Sequence, residues 1–458
     1  MQDHKFSGVV FINEKQLLFK FKNNKLTLIS TAINIIPLCL CGIVLDGEKE
    51  GNVYFKLSHP FETCETSWPH NITVDIDYFI LGHDNRAENT GIRFTLPELN
   101  YFIASSSLVI RKDYDTDAPF LIERTSRKIC KFDLQFRDKP IQVSFKITPE
   151  IQVNNAAKIK TETELEVSFA PTVDYGFIYD VYNLVMGFLS FVYNRRNLWF
   201  ESCTIIGSYT QKIRENEREF PSTAQFFSVN HHQAPPENDE FIAKEKVGFR
   251  LYEKHIASLM QIVADDKLNY MNIHSSAMKR NLVDLTQYLN ITSSFELYHR
   301  TFCPKDTSDS SDLLYEEIKQ HVLDFADKQK GKRKEKAKRF ANGIKNENSL
   351  GQRIEKTFCG YSANDKVWKS LVDVFPELTS QRCAELSYLA NDWRNELAHA
   401  KRKEEPESDV IDAIRFVEQL NYSIILRAAG YTDKEILEII KLMPKVSRKL
   451  RTTEAAPL

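Results

Sequence analysis

The hydrophobic pattern of this chain changes period partway along, and that change constrains the fold more than any single residue. Up to about residue 170, apolar and polar residues alternate, strictly so over residues 72–78, 143–147 and 163–169. Successive side chains of a strand point to opposite faces, so a period of two marks a half-buried antiparallel strand. Residues 8–12, 17–21 and 53–57 are further β-favouring runs, and Asn23-Asn24, Asp46-Gly47 and His83-Asp84-Asn85 read as turns. Such strands close as a β-sandwich or a rolled antiparallel sheet. From about residue 250 apolar residues recur at helical spacing instead, as in Ile256, Leu259, Met260, Ile262 and Val263. Helices are expected at 312–346, 348–358, 365–375, 379–403, 408–429 and 433–442, with Gly430 stopping the long one and Thr432 capping the last.

The expected organisation is therefore α+β. A β-rich antiparallel N-terminal domain spans 1–210, a linker and helical connection 211–306, an all-α domain 307–448 and a flexible tail 449–458. The linker rests on the polar, broken stretch 211–240, with its charged run 214–219 and Ala234-Pro235-Pro236. Residues 28–45 are apolar but hold Asn34 and Pro37, and read as two buried strands joined by a turn, not a membrane span. Residues 175–200 carry Asp180, Asn183, Arg195 and Arg196, and read as a buried helix followed by a strand.

A chain of 458 residues with 42% hydrophobic and 27% charged residues has room for two or three globular domains. Its formal net charge of −2 shows no overall attraction for nucleic acid, so an RNA site must be a local basic patch. The eight cysteines show no Cys-x2-Cys spacing, and most sit in apolar runs as reduced thiols do. With no signal-peptide pattern at Met1-Gln2-Asp3-His4-Lys5, a cytoplasmic location is expected. His231-His232 has no third ligand in sequence reach, so no metal is assigned and no cofactor is expected. No Walker-type phosphate loop, dinucleotide fingerprint, His-Glu-x2-His or Gly-x-Ser-x-Gly elbow occurs.

What chemistry the chain does offer is concentrated in Arg394-Asn395-Glu396-Leu397-Ala398-His399. An arginine is always charged and can brace a phosphate with a planar fork of donors. A histidine titrates near neutrality and can take and return a proton. Together they meet the needs of cleavage by a ribose 2′-hydroxyl. Residues five apart on a helix diverge by about 140°, so Arg394 and His399 do not share a face, whereas Asn395 and His399 do. Two copies packed about a two-fold axis would pool two Arg–His pairs, so the spacing itself points to a dimer. Glu396 is placed to orient the imidazole, Asp392 suits a surface ion pair, and Tyr388 is expected to pack. Two basic segments are candidate phosphate contacts: Lys401, Arg402 and Lys403 directly after the motif, and the run from Lys328 to Arg339 that includes Lys332, Arg333 and Lys334. Charge runs are more often simply solvated faces.

Arg-x4-His with Asn after the arginine, near the end of a helical C-terminal region behind a β-rich half, resembles the HEPN domains. The layout, and the helix Leu386-Ser387-Tyr388-Leu389-Ala390-Asn391-Asp392-Trp393 leading into the motif, is similar to the ApeA branch of anti-phage HEPN proteins. The resemblance is most specific over about residues 310–445. It implies a HEPN helical bundle, a metal-independent endoribonuclease with Arg394, Asn395 and His399 as catalytic residues, and a homodimer through that bundle. It also implies abortive-infection defence, with host or phage RNA as substrate (tRNA among the candidates) and an N-terminal half that senses a phage-encoded trigger. Two other readings fit the same residues: an inactive HEPN module that binds nucleotides or protein, and a β-sandwich ligand-binding protein whose helices only dimerise.

Overall fold

A computed structural model describes residues 4–12, 15–30, 35–46, 51–62, 70–102, 110–111, 121–122, 127–152, 158–194, 198, 200–213, 216–229, 248–268, 285–304, 311–343, 349–363, 366–399 and 407–443. The architecture is α+β, and the chain divides into two compact units, Met1–Asp265 and Asp266–Leu458.

Twelve antiparallel strands form one sheet in the first unit. They are β1 (Phe6–Ile12), β2 (Lys15–Lys22), β3 (Lys25–Ser30), β4 (Cys39–Asp46), β5 (Gly51–Leu57), β6 (His70–Leu81), β7 (Glu88–Thr95), β8 (Arg127–Phe136), β9 (Lys139–Gln152), β10 (Lys158–Thr172), β11 (Ser202–Ile213) and β12 (Asn216–Ser228). The order is β8-β9-β10-β7-β11-β12-β6-β3-β2-β1-β4-β5, and β5 also pairs back with β6. The second alternative raised by the alternating pattern is thus the one adopted, a sheet rolled into a six-stranded barrel. β6 makes the closure: its residues 70–75 pair with β3 and its residues 76–81 with β5.

Inward side chains of these six strands form one cluster that includes Phe6, Phe19, Phe21, Phe55 and Phe79, with ring centroids 4.9–6.2 Å apart. Rolling brings β1 and β4 close enough that glycine is needed on both. A Cβ on Gly8 would stand 2.0 Å from the Ile43 carbonyl oxygen, and one on Gly42 2.4 Å from that of Val9. Beyond the barrel, the helix α1 (Tyr175–Tyr193) packs through Phe177, Tyr179 and Tyr182 on Phe136, Phe169, Tyr78, Phe94 and Phe226 of the sheet. α1 is long and apolar enough to cross a membrane by length and composition, but most of it is buried in this unit. Asp174 caps its start, and Asn194 in the left-handed conformation ends it. A nine-residue helix, α2 (Ile256–Ala264), buries the apolar face read from the sequence.

One expectation fails here. The stretch 211–240 is not a linker throughout, because residues 216–228 are β12, paired with β11 from Thr204–Gln225 to Ile213–Asn216. The outer part of this hairpin is exposed along both strands, so it carries no apolar face that the sequence would reveal. Its backbone ladder, not burial, makes it a strand.

The second unit is helical: α3 (Leu285–Phe302), α4 (Ser311–Asp327), α5 (Lys332–Gly343), α6 (Leu350–Cys359), α7 (Ser380–Ala398), α8 (Ser408–Ala428) and α9 (Asp433–Leu442). α8 is its centre, buried along nearly its whole length and packed against α3, α7 and α9. α3 was expected in a connection ending at 306, but it packs inside this unit on α7 and α8. Ser349 with Gln352 and Thr432 with Glu435 form reciprocal caps, and Gly430 (φ 102°) ends α8. The expected single helix 312–346 is broken at Gly331 (φ 59°) into α4 and α5. The helix expected at 365–375 is instead a short hairpin, Tyr361–Ala363 with Lys366–Trp368, and a 3-10 turn, Val372–Val374. Gly360 (φ 84°) turns the chain out of α6, Trp368 Nε1 donates to the Thr357 carbonyl at 2.9 Å, and Arg427 donates to the carbonyls of Lys369 and Ser370. Backbone carbonyls are thus drawn to side chains and withheld from a helical ladder.

Candidate active site

α7 carries the Arg394–His399 motif and stops on it. Thr379 Oγ1 accepts the Arg382 amide at its start, and Arg382 ties α7 to α8 through Asp409 at 3.0 Å. His399 is the C-terminal cap, its backbone N–H donating to the Asn395 carbonyl at 3.2 Å, and its side chain is exposed.

Arg394 is held from two sides. Its Nη1 donates to Asn395 Oδ1 at 3.3 Å, and its Nη2 lies 3.6 Å from Glu296 Oε2 on α3. Glu296 in turn lies 3.9 Å from Arg353 on α6. The Arg394 side chain is still 35% exposed, which leaves room for a phosphate to approach. Behind it, the Tyr288 hydroxyl of α3 donates to the Ala390 carbonyl and faces the Arg394 backbone amide. Burial pushes the Tyr288 phenol far above its ordinary range, and the Arg394 amide pulls it back slightly. Tyr288 and Glu296 were not foreseen from the sequence. Their signal was the helical face of Tyr288, Ile291, Phe295 and Tyr298, all of them buried.

The structure joins Arg394 to Asn395 and sets His399 beyond them at the open helix end. Glu396 is half-buried, and Asp392 is exposed and accepts from Asn391 Nδ2 at 3.1 Å. Tyr388, expected to pack, is 50% exposed, because it falls on the solvent side of α7 opposite buried Leu386 and Ala390. Lys401, Arg402 and Lys403 lie outside the described residues, as do His231 and His232. Lys332, Arg333 and Lys334 open α5, where Lys334 and Lys338 pair with Asp327 at 3.1 and 3.5 Å. Among the described residues no three His, Cys, Asp or Glu side chains gather closely enough to hold a metal ion.

The first unit holds a cavity of about 430 Å³ lined by Cys39, Cys41, Tyr54, Lys56, Tyr78 and Tyr175 among others. Tyr54 donates to Cys39 Sγ at 3.0 Å and packs on Tyr175 with centroids 4.8 Å apart. Burial raises Tyr54 and Tyr78 well above the ordinary phenol range and Tyr175 to about 12, so all three are neutral donors at pH 7.

Compared with known proteins, residues 289–435 match a family model described as Apea-like HEPN. The match takes in α4–α8 whole, most of α3 and the start of α9, and it includes Arg394, Asn395 and His399. No curated protein and no solved structure matches the chain.

Proposed function

Because the chain carries an Apea-like HEPN domain over residues 289–435, we propose that it is a metal-independent endoribonuclease of anti-phage defence. The observation that carries this reading is the end of α7, where a half-exposed Arg394 braced by Asn395 and Glu296 precedes an exposed His399. In the proposed reaction the ribose 2′-hydroxyl attacks the neighbouring phosphorus and the bond to the 5′-oxygen breaks. His399 takes the proton from the 2′-hydroxyl or returns one to the leaving oxygen. Arg394 takes up the charge that develops on the phosphate oxygens. Asn395 positions the phosphate or the 2′-hydroxyl. The products end in a 2′,3′-cyclic phosphate or its hydrolysed form, and DNA, lacking the nucleophile, resists.

Arg394 and His399 diverge around the helix, so the complete site is proposed to form where two copies meet, each giving an arginine and a histidine. Host or phage RNA is the proposed substrate, in the cytoplasm. The β-rich unit is proposed as sensor or restraint for a phage-encoded trigger, and its tyrosine-lined cavity supports a ligand-binding role for that unit. A trigger can shift the equilibrium only by binding the competent state more tightly. Mixing Arg394→Ala chains with His399→Ala chains tests the composite site. Partial recovery of cleavage in the mixture is expected, and full-strength cleavage by a verified monomer would exclude it.

A further inference from the structure

We propose that the helical hairpin of α4 and α5 is an arm that grips unpaired RNA, with phenylalanines stacking on bases and neighbouring cations neutralising phosphates. This rests on the ribonuclease reading and names the class of RNA the domain takes: loops and single strands in preference to uninterrupted duplex.

The hairpin is closed by the turn at Gly331 and by the Asp327 carboxylate, which lies 3.1 Å from Lys334 Nζ and 3.5 Å from Lys338 Nζ. Ala326 on α4 and Ala341 on α5 are both fully buried and mark the seam between the helices. Each follows a phenylalanine that is not buried: Phe325 is 58% exposed and Phe340 68%. In two antiparallel helices, residues at the same offset from the seam turn to the same broad side. Phe325 and Phe340 therefore share one side of the arm. Residues seven apart on a helix also share a side, which adds exposed Ile318 before Phe325 and exposed Arg333 before Phe340. Lys336, also exposed, flanks this side.

The mixture selects the partner. A purely apolar side would suit a protein, and a purely basic one would suit the backbone of any nucleic acid. Exposed rings set among cations fit bases that are free to leave their own stack, because every base has a face for a ring and a phosphate beside it. A-form duplex offers the phosphates but no free base face, since its bases are already stacked and its major groove is too deep and narrow for side chains to read. From Lys328 to Arg339 there are eight lysines and arginines against the single acid Glu335, a local attraction that the overall net charge of −2 does not provide.

The test uses the full chain carrying His399→Ala, so that RNA is bound and not consumed. Fluorescence anisotropy compares a short unstructured RNA with the same strand annealed to its complement. Phe325→Ala and Phe340→Ala are each expected to weaken binding of the unpaired strand about tenfold and to change duplex binding less than about twofold. Phe340→Tyr, which keeps a ring, should retain binding. Arg333→Ala should weaken both and lower the salt slope by about one. Both phenylalanines are exposed, so the melting temperature should hold. Unchanged binding of unpaired RNA in the two alanine variants overturns the proposal, as does loss of self-association or of anionic-vesicle binding with RNA binding intact. If the parent chain cuts no RNA while this binding pattern appears, the ribonuclease reading fails and the arm stands. If cutting is intact and the pattern is absent, the arm fails alone.

Discussion

The two units of this chain handle polar chemistry in opposite ways. In Met1–Asp265 a surface pocket gathers exposed Cys39 and Cys41 with half-buried Tyr54 and Tyr175 and buried Tyr78, where desolvation raises the tyrosine phenols and the Cys41 thiol. In Asp266–Leu458 the candidate catalytic groups stand at the C-terminal end of a helix, half-exposed or exposed, supported from behind by α3. A concave pocket can contact a small ligand from several side chains of one unit. An open helix end cannot exclude water, and it gains full electrostatic strength only when something covers it. The comparison contrasts a pocket lined by side chains of one unit with a helix end that, on the proposed reading, RNA and a second copy would complete.

The largest expected effect breaks the second half of that comparison. Arg394→Lys should lose cleavage nearly as fully as Arg394→Ala, by about a hundredfold or more, because an ammonium cannot reproduce the fork. Thermal unfolding should be unchanged, which single-turnover assays and calorimetry together would establish. Next, Phe55→Ala should destabilise the first unit by about 3–5 kcal/mol, since its ring meets Phe6, Phe19, Phe21 and Phe79 inside the barrel. Denaturant titration should show one transition moved and the helical one in place. A single shifted transition would contradict two separately stable units.

Smaller effects sharpen the support for Arg394. Tyr288→Phe keeps the buried ring but removes the hydroxyl that bonds the Ala390 carbonyl, and should cost about 1 kcal/mol. Cleavage should fall through kcat with KM held, as expected of a residue that positions Arg394 without touching RNA. The smallest effect lies in the first unit. Hydrogen bonds from Arg86 hold the Asp84 carboxyl at about 2, below its ordinary value. A depressed carboxylate stabilises the fold above its unfolded pKa and loses that contribution as pH falls through the folded one. Asp84→Asn should therefore flatten the acid limb of unfolding only between about pH 4 and pH 2. From pH 7 to 9 the two chains should differ by a constant amount, and a difference that changes with pH there would point to another group.

Much of this was legible in the sequence wherever one face of an element is buried. Strict alternation at residues 72–78 became β6, and the capped apolar stripe after Thr432 became α9. Legibility failed where hydrogen bonds replaced burial, as in the exposed outer hairpin of β11 and β12 and in the turn at Gly360. The motif residues could be read because their chemistry is local to one helix. Tyr288 and Glu296 could not, because they reach Ala390 and Arg394 across about a hundred residues of chain, and a buried tyrosine and a half-exposed glutamate are common on any helix.

The most direct measurement is cleavage of a defined RNA in excess chelator, wild type against His399→Ala, with a strand carrying 2′-deoxy at the cut position as control. Chelator-resistant cutting by wild type that leaves a 2′,3′-cyclic end or its hydrolysed form, with none by His399→Ala and none of the deoxy strand, is the predicted result. Near-normal cutting by His399→Ala, or cutting of the deoxy strand, would contradict the account.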